Sequence, residues 1–457
     1  MSENKQTNEM GTGSIPKLFF KLAIPAVVAQ LVNMLYNIVD RIYIGHIPNV
    51  GASALTGVGL FSAIMMFITA FSMLAGAGGA PLASISLGKN DKEHAEKIMT
   101  NSFLLLLIFA AILTIVIYIF APNLLTMFGA SEVTLPYAVD YARIYVLGTV
   151  FVLIVTGMNP FVTTQGFAKI AMLTTVIGAV INIILDPIFI FVFNMGVKGA
   201  ALATVLSQAV GAIWILRFLT GNKTLLKLRK ENLKLDPKVF GPTLALGISP
   251  FIMVSTESLL SISFTTSLAK YGGDIAVGAM TIITSINMLV TMPLQGFTQG
   301  GQPIMSYNFG AGNVDRVKKA FFMQFGVCVG YAAIFWGICM LAPNVLAGIF
   351  TTDATLAEYA SWAIRIYMAG IFSVGFQLAC QQSFMALGQA AISLVMAFLR
   401  KLILLIPLIF ILPNFFADKV FGVFLAEPVS DILAATITTV VFFTQFKKIM
   451  SKVTKTE

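Results

Sequence analysis

The chain has 457 residues, 58% of them hydrophobic and 11% charged, with 29 Lys and Arg against 20 Asp and Glu for a net charge of +9. A soluble domain carries about 25% charged residues, so this composition excludes a wholly water-facing surface and requires a large lipid-facing one. The basic balance alone would fit a nucleic-acid binder, but the cations gather in short loops between apolar runs, so no nucleic-acid partner is expected.

Taken in chain order, the first 14 residues are polar. The apolar run behind them is too long for the core of a cleaved signal peptide. Twelve runs then reach the ~20 residues that cross a bilayer as a helix. They fall at residues 16–45, 53–83, 98–121, 136–157, 163–193, 197–220, 240–269, 275–305, 319–342, 357–379, 382–412 and 420–446. Each is continuously apolar, unlike the ten-residue alternation of a membrane barrel. The expected fold class is an all-α integral membrane protein with twelve transmembrane helices in two pseudo-symmetric six-helix lobes. The longest polar segment, 221–238, reads as the connector. It separates an N-lobe at 16–220 from a C-lobe at 239–446, with tails at 1–15 and 447–457.

The two lobes repeat one another. Arg143-Ile144-Tyr145 recurs 222 positions later as Arg365-Ile366-Tyr367, and Gly78-Gly79 with Pro81 and Gly88 recurs as Gly300-Gly301 with Pro303 and Gly310. Six helices per half is an even number, so both halves enter the membrane from one side and form a parallel repeat. The loops at 87–97 and 309–319 repeat too. Each holds a Gly to end one helix and Asn or Asp to cap the next. With the N-terminus placed inside, the even loops and the two tails hold 21 of the 29 cations, from Lys5 and Lys17 to Lys452 and Lys455. That is the positive-inside pattern. It predicts a multi-pass protein of the cell membrane with both termini cytoplasmic.

Carboxylates within hydrocarbon are costly and point to function, and three stand out: Asp40, Asp186 and Glu257. Asp40 lies 19 residues past Lys21, about 28 Å along a helix. Asp186 lies 17 residues past Lys169, about 26 Å. Thr204 sits six residues in from Lys198 on the other side, so spans 1, 5 and 6 bring polar groups to one level in the outer half. Asn37 precedes Asp40 by three residues and Asn182 precedes Asp186 by four, spacings that share a helix face. The set Asn37, Asp40, Asn182, Asp186 and Thr204 is rich in oxygen and lacks a matching cation. It suits Na+, a hard cation, and equally a proton held between two carboxylates. Ordinary interhelical hydrogen bonding would also place Asn182 and Thr204 there.

Glu257 falls near the middle of span 7 beside Ser255, Thr256, Ser258, Ser261 and Ser263. It is expected either to line a wet cavity as a second cation or substrate site, or to be a structural acid bonded to a neighbouring helix. The repeat aligns Asp40 with Thr265 and Asp186 with Ile406, so the second lobe is expected to lack these acids and the first to carry ion coupling. Arg143 and Arg365 read as interfacial anchors. Cys328, Cys339 and Cys380 lie in apolar runs without metal-site or disulfide spacing. His46 and His94 lie at helix edges.

These residues resemble the multidrug and toxic-compound extrusion (MATE) family. The motifs are Pro25 with Asn37-Ile-Val-Asp40, Asn182-Ile-Ile-Leu-Asp186-Pro187, Gly199-Ala-Ala-Leu-Ala-Thr204 and the paired loops, and the resemblance runs from about 16 to 446. The overall pattern is most similar to the MepA-like branch of Gram-positive bacteria. The resemblance implies a MATE-like fold and Na+ or H+ binding at Asp40, Asn182, Asp186 and Thr204. It also implies a contribution from Glu257 with a further acid on span 10, which the stretch Ser373–Gln377 does not offer. The expected activity is secondary active efflux of amphipathic, cationic organic compounds in antiport with H+ or Na+, by alternating access. No cofactor beyond the coupling ion is expected, and the functional unit is expected to be a monomer in the bilayer with small organic molecules as partners.

Other classes fit less well. A flippase for a lipid-linked precursor needs a basic cavity for pyrophosphate, whereas the cations here are expected in loops. A major-facilitator carrier would show denser Arg in its repeated loops. No catalytic constellation or Walker-type loop supports an enzyme or direct ATP drive.

Overall fold

The computed structural model describes residues 9–453, and among them every regular element is helical. In order these are α1 (Ile15–Gly45), α2 (Gly51–Gly88), α3 (Lys92–Met127), α4 (Leu135–Leu147), α5 (Thr149–Thr164), α6 (Ala168–Pro187) and α7 (Val197–Thr220). After the connector come α8 (Pro237–Gly310), α9 (Val314–Leu341), α10 (Pro343–Phe350), α11 (Ala354–Tyr367), α12 (Ile371–Ala386), α13 (Ala390–Phe398), α14 (Ile406–Ile411) and α15 (Lys419–Val453).

Among the described residues, the fifteen helices named make twelve crossings. The 74 residues of α8 would form a straight rod of about 111 Å, far more than one bilayer. Gly273 divides it, with φ 65° and ψ −160°, a conformation open to glycine but not to side-chain-bearing residues. Helices α4 and α5 form one bent span, turning by 59° between them. Helices α11 and α12 join through a 3-10 turn, and α13 and α14 join through a π-helical stretch at Leu399–Leu405. A second π-helical stretch, Ile188–Val192, extends α6. The expected order of spans is therefore met. Several ends run further than the apolar runs where caps extend them, while the fifth and eleventh spans begin later than expected, at Ala168 and Ala390, because the residues before them continue the preceding helices to Thr164 and Ala386. Asp91 accepts from the His94 N–H at 2.9 Å and starts α3 six residues early, and Asn313 caps α9 through the Arg316 N–H.

Each half has its own apolar core. One gathers residues between Ile44 and Val239, the other residues between Leu260 and Ala426. A third cluster joins the halves, with Phe19 and Leu22 of α1 against Ile304, Phe321, Phe384 and Phe442. Polar contacts reinforce this seam. Ser84 donates to the Pro303 carbonyl at 3.2 Å. Arg316 donates to the carbonyls of Met10 at 3.0 Å and Gly13 at 2.8 Å, and its Nε to Asn308 Oδ1 at 3.0 Å. Gly78 of α2 faces Thr243 and Gly247 of α8, where a Cβ would stand 2.7 Å from the Gly247 nitrogen. Small residues let helices approach this closely in a membrane. The seam lies toward the 87–97 and 309–319 loops, so the lobes are sealed on that side.

The connector is clamped onto the first half. Gln165 Oε1 accepts from the backbone N–H groups of Leu225 at 2.7 Å and Leu226 at 2.8 Å. Glu96 accepts from Lys227 N–H at 3.1 Å and from Arg229 Nε at 2.8 Å, and Asn101 accepts from Asp236 N–H at 2.8 Å.

Candidate functional site

Three helices converge on a buried polar cluster in the first lobe. Asp40 comes from α1, Asn182 and Asp186 from α6, and Thr204 from α7. Asn182 and Asp186 are fully buried, Thr204 is 1% exposed and Asp40 8%. The carboxyl groups of Asp40 and Asp186 lie within hydrogen-bonding reach of each other. With its amide turned to suit both neighbours, Asn182 donates to Asp186 Oδ2 at 2.9 Å and accepts from the Thr204 N–H and hydroxyl, each at 3.3 Å. Asp40 Oδ1 is buried without a donor. Two apposed carboxylates in a low dielectric repel unless a cation or a shared proton stands between them, and among the described residues no basic side chain forms a salt bridge with either; Arg41 acts on Asp40 only through longer-range attraction. Arg41, the next residue, is exposed while Asp40 is buried.

The structure thus assembles four of the five predicted first-lobe residues and leaves out Asn37. That side chain is exposed and donates to the Asn33 carbonyl at 2.7 Å. Three residues along a helix fall about 60° short of a full turn, enough to swing Asn37 out of the cluster. Tyr36 occupies the expected place instead, four residues before Asp40, and with Tyr141 it lies in the neighbourhood of Asp40 and Thr204. Tyr141 and Tyr145 stack with ring centroids 6.0 Å apart. Sequence reasoning missed these tyrosines, although Tyr145 lies in the repeated Arg-Ile-Tyr motif.

The second lobe corrects one expectation: cations are not confined to loops. It also has buried acids, though not at Thr265 and Ile406, the positions paired with Asp40 and Asp186. Arg400 and Lys401 lie on the π-helical stretch between α13 and α14, and Glu427 and Asp431 lie on α15. Glu257 pairs with Lys401, which also donates to the Met253 carbonyl at 2.6 Å. Arg400 Nε donates to Asp431 Oδ1 at 2.8 Å, and its Nη2 lies 3.5 Å from Glu427 Oε1. Glu257 is the exposed end of this network, its side chain 48% accessible against 5% for Lys401. Long apolar neighbours hide these four charges from a hydropathy reading, and only the adjacent pair Arg400-Lys401 inside the run 382–412 could have signalled them. Arg143 lies over the Tyr118 ring, 5.8 Å from its centroid, and all three cysteines are buried and free.

Comparison with known proteins agrees with the doubled architecture. The chain is 26% identical over 427 residues to the Multidrug export protein MepA of Staphylococcus haemolyticus, covering 92% of each. It is 25% identical over 406 residues to the protein of that name from Staphylococcus aureus, covering 88% of each. A crystal structure described as MATE in the bent conformation superposes with TM-score 0.92 at 23% identity, covering 98% of this chain and 99% of that one. The MatE family profile matches twice, at residues 25–188 and 250–411. The two matched segments are the two halves of the repeat, and the chain belongs to the MatE family.

Proposed function

We propose that this protein is a secondary active exporter of amphipathic, cationic organic compounds, driven by antiport of H+ or Na+. The observation that carries the reading is the Asp40–Asp186 pair, buried in the first lobe with Asp40 Oδ1 unpartnered and, among the described residues, with no salt bridge to a basic side chain. The names of the staphylococcal relatives support an export role, and the positive-inside pattern puts the sealed side in the cytoplasm. An external ion reaching the pair would neutralise it and pull α1 toward α6 and α7. Coupling requires only that ion and substrate favour different states or compete.

The bases of the second lobe do not favour the flippase alternative. Arg400 and Lys401 are engaged by Glu257, Glu427 and Asp431, so they offer no free positive charge to a pyrophosphate. The test is uptake of a fluorescent organic cation into inverted vesicles, energised separately by a pH gradient and a Na+ gradient. One gradient should drive uptake, and both Asp40→Asn and Asp186→Asn should abolish it. Unchanged uptake in these variants would refute the assignment.

A further inference from the structure

The two lobes answer the same electrostatic problem differently. In the first, carboxylates from α1 and α6 meet near Tyr36 and Tyr141, on which Tyr145 stacks, with no salt bridge to a basic side chain among the described residues. In the second, the repeat-related Tyr367 lies within electrostatic reach of Glu257, Glu427, Asp431 and Arg400. The fifth span of each lobe carries its polar group beside a π-helical stretch, Asn182 and Asp186 before Ile188–Val192, and Arg400 and Lys401 within Leu399–Leu405. Such stretches in an otherwise regular helix mark functional positions. The sixth span adds Thr204 in one lobe and Glu427 with Asp431 in the other.

We propose that Lys401 is a resident cation: its ammonium takes the place beside Glu257 that an exchangeable cation would otherwise fill, so that only the Asp40–Asp186 site exchanges an ion with solution. Its position argues for this. Lys401 is almost fully buried, and its Nζ is held by the Glu257 carboxylate and the Met253 carbonyl, oxygen ligands of the kind a free cation would take. Arg400 is pinned to Asp431 and its own carbonyl accepts from Ser430 at 3.1 Å, which fixes the adjacent lysine. Removing the lysine would leave the half-accessible Glu257 carboxylate and the Met253 carbonyl without their cation. Loss of the lysine should therefore turn its place into a vacancy for a small cation.

The direct test titrates methylammonium chloride against purified Lys401→Ala and follows the melting temperature, with choline chloride as the ionic-strength control. Methylammonium should raise the melting temperature of Lys401→Ala with the logarithm of its concentration. It should do so in neither the wild type nor Lys401→Ala/Glu257→Gln. Absence of that rise, or an equal rise in the wild type, would overturn the proposal. A Lys401→Ala chain that folds only together with Glu257→Gln would support it.

A second arm rests on the coupling proposed above and needs no variant. The reversal potential of the wild-type exporter should give one exchanged ion per substrate cycle, and two would overturn the proposal. If no ion gradient drives transport, the proposed function fails while the melting experiment still reports on Lys401.

Discussion

The seam between the lobes offers a direct handle on the transport cycle. Gly78 of α2 is in backbone contact with Thr243 and Gly247 of α8, and a methyl group on Gly78 would meet the Thr243 carbonyl oxygen first and stand 2.7 Å from the Gly247 nitrogen. That is roughly 0.8 Å short of an ordinary carbon contact of ~3.5 Å. Two packed helices must separate to admit it, and overpacking of this kind costs about 1–3 kcal/mol. The strain exists only while the seam is closed, so Gly78→Ala should shift the equilibrium toward the state open on the loop side by about 5- to 150-fold. A cysteine in place of Ser84, which is buried in the seam against Pro303, reports the shift through its rate of labelling by a water-soluble maleimide. The native cysteines are buried and can be replaced by alanine for the assay. Labelling in the Gly78→Ala background should accelerate by the same factor, and an unchanged rate would refute the claim that this contact holds the lobes closed.

Three further outcomes follow from contacts already described. Thr204→Val removes the hydroxyl facing Asn182 and should raise the half-saturating concentration of the coupling ion by about fivefold, the worth of one neutral hydrogen bond of ~1 kcal/mol, read from the ion dependence of uptake. Gln165→Leu strands the buried N–H groups of Leu225 and Leu226 at about 1–3 kcal/mol each; limited trypsinolysis should then cut at Lys223, Lys227 or Arg229 well before the wild type is cut. Arg316→Ala removes two of the bonds that tie the Met10–Gly13 segment to the second lobe, leaving the Asn308 Nδ2 bond to the Met10 carbonyl at 3.0 Å, and should accelerate labelling at position 84, as Gly78→Ala does, though less, since these bonds lie at the rim of the seam.

The spans were legible because transmembrane helices are written as long apolar runs, and the repeat was legible because Arg-Ile-Tyr and Gly-Gly recur at one offset. Helical spacing also found Asp40, Asn182 and Asp186. The same arithmetic misplaced Asn37, since a three-residue step and a four-residue step differ by about 100° on a helix. Only packing decides which of the two faces the partner. Tyr36 and Tyr141 escaped because aromatic residues are common in apolar runs and carry no charge to flag them. The Arg400, Lys401, Glu427 and Asp431 network escaped for the opposite reason. Each charge is tolerated through a partner more than twenty residues away or on another span, a pairing invisible to any window of sequence.

The clamp on the connector moves the mechanical boundary between the lobes. Residues 224–229 are fastened to Gln165 and Glu96, and Asp236 to Asn101. Val239 at the start of α8 belongs to the first core, and Phe240 and Leu244 pack on it. The polar linker is therefore not a free tether between the lobes. The seventh span begins on the first core and passes at Leu260 and Phe264 into the second, so one continuous helix, rather than a loop in water, ties the two cores together.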